Sequence, residues 1–157
     1  MTSSPASAAP SSAAPELVIT RLLEAPRSLV FRIWIQPEHL ARWWGPNGFT
    51  LLSCETDVRP GGTWVRSMRA PDGTKHIKRG VYREIVEPER LVFTYVNEDA
   101  AGRPGPETVV TVTFEEEGHR TRLTLHQTGF ESTASRDGHE GGWISCLERF
   151  ADYLATV

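Results

Sequence analysis

Few side chains in this 157-residue chain are spaced for catalysis, and the first to weigh are its carboxylates and histidines. Along Gly80-Val81-Tyr82-Arg83-Glu84-Ile85, strand alternation sets Gly80, Tyr82 and Glu84 on one face and Val81, Arg83 and Ile85 on the other. Glu84, a carboxylate among rings, reads two ways. It pairs with an arginine, or it holds a ligand polar group and acts as a general base if desolvation raises its pKa. His126, in register with Thr124 and Thr128, reads as a wall residue or as an acid–base partner. The five histidines, His39, His76, His119, His126 and His139, form no pair at metal-ligand spacing. His139-Glu140-Gly141-Gly142-Trp143 starts like a zinc-protease helix, but Trp143 stands where the second histidine is required. Cys54 and Cys146 lack CxxC or metal-ligand spacing and read as buried, reduced thiols. No G-x-S-x-G elbow, S-x-x-K, P-loop or G-x-G-x-x-G occurs, so no metal or cofactor is implied.

The rings are the stronger signal: five Trp, six Phe and three Tyr. Trp43-Trp44-Gly45-Pro46 places two indoles side by side on a short helix. They cannot face the same way, so one packs inward and the other lies toward a rim. As core plugs each contributes up to ~3 kcal/mol of burial; as a lid they offer flat walls to an apolar ligand. Arg59-Pro60-Gly61-Gly62 is turn chemistry, with the Arg59 guanidinium available to an anionic ligand or a partner.

These residues must be positioned by one domain, the usual content of a chain this long. A net charge of −3 argues against a polybasic surface for nucleic acid or membrane. Thirteen of residues 1–15 are Ser, Ala or Pro, so 1–15 reads as a disordered tail and 16–157 as the folded unit. The tail lacks the basic and apolar regions of a secretory signal. No run of ~18 apolar residues could span a membrane, and the expected location is cytoplasmic.

Period-two patterning predicts strands at Leu17–Glu24, Thr50–Val58, Thr63–Arg69, Lys75–Val86, Leu91–Asn97, Glu107–Glu116 and His119–Gln127. Leu29, Val30, Ile33 and Trp34 recur at helical spacing until Pro37, and Glu38–Trp44 is a second short helix. Trp143, Leu147, Phe150 and Leu154 mark a long C-terminal helix with one apolar face. Gly138, Gly141 and Gly142 each cost about 1 kcal/mol inside a helix, so its start falls anywhere from Ser132 to Gly142. Strands and helices do not alternate as βαβ, so the class is α+β with an antiparallel sheet. Such a sheet, curled around a long helix, leaves an internal cavity.

Several motifs then resemble one family. Arg32-Ile33-Trp34, Pro37-Glu38-His39-Leu40-Ala41-Arg42-Trp43-Trp44-Gly45-Pro46, Asp57-Val58-Arg59-Pro60-Gly61-Gly62-Thr63-Trp64, Gly80–Ile85, Pro88-Glu89-Arg90-Leu91 and Gly142-Trp143 with Leu147 carry the likeness. They are similar to homologues of the activator of the HSP-90 ATPase, within the START-like, or SRPBCC, superfamily, from about Leu17 to Leu154. The resemblance implies a helix-grip fold and moves the start of the last helix back to about Thr133. It also implies an apolar small molecule held inside the fold, while a minority of the superfamily are enzymes such as aromatase/cyclases.

The cavity-lining candidates are Trp44, Phe49, Trp64, Tyr82, Glu84, Phe93, His126, Trp143 and Leu147. The leading expectation is a binding module for a hydrophobic or aromatic molecule. A second is a cyclase, dehydratase or hydrolase using Glu84 or His126. A third, from the family name, is a chaperone-activating partner. The eukaryotic activator has a further N-terminal domain that fifteen Ser/Ala/Pro-rich residues do not supply, so an HSP-90-type partner is not expected. A homodimer is left open.

Overall fold

A computed structural model describes residues 14–99 and 101–157. The expectation for the Ser/Ala/Pro tail falls, apart from Ala14 and Pro15, outside the described residues. Seven strands form one antiparallel sheet: β1 (Leu17–Leu23), β2 (Thr50–Thr56), β3 (Thr63–Arg69), β4 (Lys75–Val86), β5 (Arg90–Glu98), β6 (Thr108–Glu117) and β7 (Arg120–Thr128). Their spatial order is β1-β7-β6-β5-β4-β3-β2, so the first and second strands in sequence are the two edges. Helices α1 (Arg27–Ile35) and α2 (Pro37–Trp43) fill the connection between them, and α3 (Thr133–Leu154) closes the chain. The α+β helix-grip architecture is as the sequence predicts, with strand ends moved by a residue or two.

Local chemistry explains the breaks. Pro26 presents its carbonyl to the amides of Leu29 and Val30 at the start of α1, where its own missing N–H costs nothing. Pro37 opens α2, again in the first helical turn. Gly45, with φ +101°, turns the chain out of α2 into a conformation that a side chain would strain. Ser132 caps α3, its hydroxyl accepting from the Ser135 amide at 3.0 Å. The helix therefore begins at Thr133, and Gly138, Gly141 and Gly142 lie inside it.

The inner faces of β5, β6 and β7 supply Leu91, Phe93, Val110, Val112, Phe114, Leu123 and Leu125, all buried. Against them pack α1, α2 and the C-terminal half of α3. Trp34 and Trp43 lie 4.8 Å apart, Trp43 meets Phe150 edge-on at 4.7 Å, and Phe31 meets Phe114 at 5.1 Å. Trp43 is fully buried, with its indole N–H on the Ile33 carbonyl at 3.1 Å. This end of the molecule is a packed plug.

Midway along β4 the pleat is interrupted. Gly80 lies against β5 so closely that a Cβ there would sit 1.8 Å from the Thr94 carbonyl oxygen. The ladder then slips by one residue between Tyr82 and Glu84, a β-bulge: Tyr82 pairs with Phe93, but Glu84 pairs with Val92 and Ile85 with Leu91. Beyond the bulge Ile85 takes the inner face and Glu84 the outer.

Candidate functional site

The other end of the interior is open. The loop after α2, the inner faces of β3 to β5 and the N-terminal half of α3 enclose a cavity of about 370 Å³. Its walls are chiefly Trp44, Phe49, Met68, Tyr95 and Trp143, with Gly138 and Gly142 on the helix side. The helical glycines make the room. A Cβ at Gly138 would meet nothing within 4 Å, and one at Gly142 only the Pro46 ring at 3.8 Å.

The walls are held from behind. Arg149 on α3 donates to the carbonyls of Gly45 at 2.8 Å and Pro46 at 3.2 Å, tying the loop to the helix. The Asn47 amide donates to the Ser145 hydroxyl at 2.8 Å. The Trp143 indole N–H donates to Gln127 Oε1 at 2.8 Å, and Gln127 Nε2 donates to the Thr108 hydroxyl at 2.9 Å. That hydroxyl donates in turn to the Tyr95 carbonyl at 2.9 Å. Gln127 is fully buried, so this satisfied chain fixes the Trp143 plane without an orphaned polar group.

A short polar track crosses the cavity rim. The Lys78 ammonium donates to Asn97 Oδ1, and Asn97 Nδ2 donates to His139 Nε2 at 2.7 Å. His139 Nδ1 donates to the Ser135 carbonyl at 2.8 Å, so its proton sits on Nδ1. Burial lowers the His139 pKa below its ordinary value, keeping the imidazole neutral and able to accept from Asn97. Burial also pushes Lys78 down to about 8 and the Cys146 thiol up to about 12. Cys146 is thus an inert wall residue. The buried Tyr95 phenol is raised and stays protonated. A smaller hollow of about 230 Å³ adjoins across Tyr95, Ser135 and His139. No cluster of metal-ligating side chains exists among the described residues.

Of the residues singled out from sequence, Trp44, Phe49 and Trp143 line the cavity. Trp64, Tyr82, Phe93 and Leu147 are buried beside it in the core. Trp64 packs on Trp44 at 6.0 Å and on Phe93 at 5.7 Å, and the Tyr82 hydroxyl bonds Thr56 at 2.9 Å. The adjacent indoles divide as their geometry demands, Trp43 into the plug and Trp44 onto the cavity.

Glu84 and His126 are corrections. The bulge turns Glu84 to the outer face, where it takes Arg90 at 2.6 Å. His126 faces outward too, opposite exposed Val18, and bonds Glu16 at 2.7 Å. Neither reaches the cavity, which removes both residues on which an acid–base enzyme was expected to rest. Arg59 pairs with Asp57 at 2.8 Å on the surface. Sequence reasoning missed Met68, Lys78, Tyr95 and His139. One signal was available: Ser135, Gly138, His139, Gly142, Trp143 and Cys146 fall at helical spacing on a single face.

A curved antiparallel sheet gripping a C-terminal helix over an apolar cavity defines a START-like helix-grip protein. Residues 24–155 match the family model described as Activator of Hsp90 ATPase homolog 1-like protein, and the chain belongs to that family. The fold is similar to the crystal structure of the AHSA1 protein from Silicibacter pomeroyi, at 26% identity and TM-score 0.82, over 90% of this chain and 99% of that one. A Rhizobium leguminosarum protein has 27% identity and TM-score 0.81 over 91% and 95% of the two chains. The solution structure of an Arthrobacter aurescens protein has 30% identity and TM-score 0.78 over 90% and 87%. No curated protein matches the chain in sequence. None of the helices described is long and apolar enough to cross a membrane.

Proposed function

We propose that the chain is a cytoplasmic binding protein for a hydrophobic or aromatic small molecule, held between the sheet and the N-terminal half of α3. One observation carries the reading: a cavity of about 370 Å³, walled by Trp44, Phe49, Tyr95 and Trp143, beside the buried core. That volume falls at the lower end of the range for small-molecule sites, ~300–1,000 Å³. The glycines support it, since two small residues on the helix face toward the cavity forgo helix stability and leave space instead. The free, reduced-type cysteines Cys54 and Cys146 suit the cytoplasm.

The test uses N-phenyl-1-naphthylamine, a neutral apolar dye that fluoresces when it leaves water. Gly138→Leu combined with Gly142→Leu fills the cavity from the helix side. Wild type is expected to bind the dye, and the double variant to bind at least about tenfold more weakly while melting no lower. Equal binding by both proteins, or none by wild type, would overturn the reading.

A further inference from the structure

We infer that the ligand of this cavity carries a carboxylate on its apolar body, and that Lys78 and Arg66 receive it between β3 and β4. The inference rests on the cavity reading above and specifies what the cavity takes.

The inner face of the sheet carries cations without acids. On the outer face of the sheet, arginines meet carboxylates: Arg79 takes Glu98 at 2.8 Å, Arg83 takes Glu107 at 3.5 Å, and Arg90 takes Glu84 at 2.6 Å. On the inner face the pattern stops. Arg66 and Lys78 stand directly opposite each other in the β3–β4 ladder, so their side chains leave the same face as neighbours. Neither forms an ion pair with a described carboxylate, and the cavity lining contains no Asp or Glu.

Arg66 is 3% exposed. Its guanidinium sits in the corner formed by the rings of Trp44 and Trp64, at 4.6 and 4.7 Å from their centroids, and its Nε–H has no acceptor among the described residues. The two ring faces hold the cation behind the Trp44 wall without supplying an acceptor. Lys78 reaches the cavity itself, and its Asn97 partner is neutral. Two buried like charges facing each other are costly, and a buried cation without an acid leaves its desolvation uncompensated. An arriving anion reverses both terms: it attracts each cation and accepts from the ammonium. The Tyr95 hydroxyl, also on the cavity wall, makes no hydrogen bond to a described residue and is a third donor.

Lys78 binds the carboxylate directly, and Arg66 contributes charge from behind Trp44. The apolar body then lies along Trp44, Phe49, Met68 and Trp143.

Isothermal titration with matched probes tests this: 2-naphthoate against 2-naphthamide for an aromatic body, and dodecanoate against dodecanamide for an aliphatic one. Each acid is expected to bind about ten- to a hundredfold tighter than its amide, as a hydrogen bond to a charged group implies. The better pair tells an aromatic from a fatty acid. Lys78→Met should abolish the acid preference while amide binding persists. Arg66→Lys, which keeps the charge should Arg66→Met fold poorly, should preserve it. Amides that bind as tightly as the acids, or a preference that survives Lys78→Met, would overturn the carboxylate assignment with the cavity reading intact. Binding by none of the four probes would overturn both.

Discussion

The two ends of the interior are built from the same kinds of residue and behave differently. At one end Trp34, Trp43, Phe31, Phe114 and Phe150 interlock, and the polar groups that enter are satisfied. At the other, Trp44 meets Trp143 at 5.5 Å and Trp143 meets Tyr95 at 6.1 Å, but these rings and Phe49 turn a side to a void, and two cations lack a described acid. The long helix serves both ends: its Trp143–Leu154 half packs, and its Thr133–Gly142 half recedes. Aromatic content alone therefore predicts neither stability nor binding. What decides is whether glycines or bulky side chains face the rings.

Substitutions that strike one end and not the other test this contrast. The largest effect should come from Trp43→Ala, which opens a cavity in the plug and should cost about 3–5 kcal/mol in denaturant unfolding. Phe49→Ala, on a ring facing the void, should cost about 1 kcal/mol. Similar costs at both positions would erase the distinction.

Next in size is Lys78→Met, with the opposite sign. Burial lowers the Lys78 pKa to about 8 from 10.5, so below pH 8 the folded protein carries a charge it solvates poorly. Between pH 8 and about 10 the unfolded chain binds this proton and the folded protein does not, so wild-type stability should rise with pH. The groups around the ammonium are Arg66 from β3, Tyr95 and Asn97 from β5, His139 from α3 and His76 on its own strand; none is a carboxylate. Lys78→Met should stabilise the ligand-free protein by about 1–2 kcal/mol at pH 7 and flatten that slope. A less stable variant with an unchanged slope would contradict the assignment.

The smallest effect should be Gly142→Ala. It should stabilise the protein by about 0.5–1 kcal/mol, because the added methyl meets only Pro46 at 3.8 Å. A loss of stability in thermal unfolding would mean that the receding half of α3 is packed after all.

The plug was far more legible in the sequence than the site. Alternation located the strands, most plainly where β7 buries each second residue from Thr121 to Gln127 and β6 does so from Thr108 to Phe114. The start of α3 was hidden by glycines whose purpose is space rather than helix formation. Glu84 was misplaced because a one-residue bulge reverses facing and leaves no mark in an alternating pattern. His126 failed for a simpler reason: alternation separates two faces without saying which is inside. Arg66 and Lys78 escaped notice because cations on an amphipathic strand ordinarily face water, and only the topology shows that these two share the inner face.

The most direct test reads the five tryptophans separately. Each indole N–H gives its own signal in a ¹H–¹⁵N correlation spectrum, assignable by single substitution, and N-phenyl-1-naphthylamine can be titrated against all of them. The account predicts that Trp44 and Trp143 shift strongly, while Trp34 and Trp43, which meet those two rings only from the plug side, shift far less. Shifts of equal size at Trp34 and Trp43, or none at Trp44 and Trp143, would contradict it.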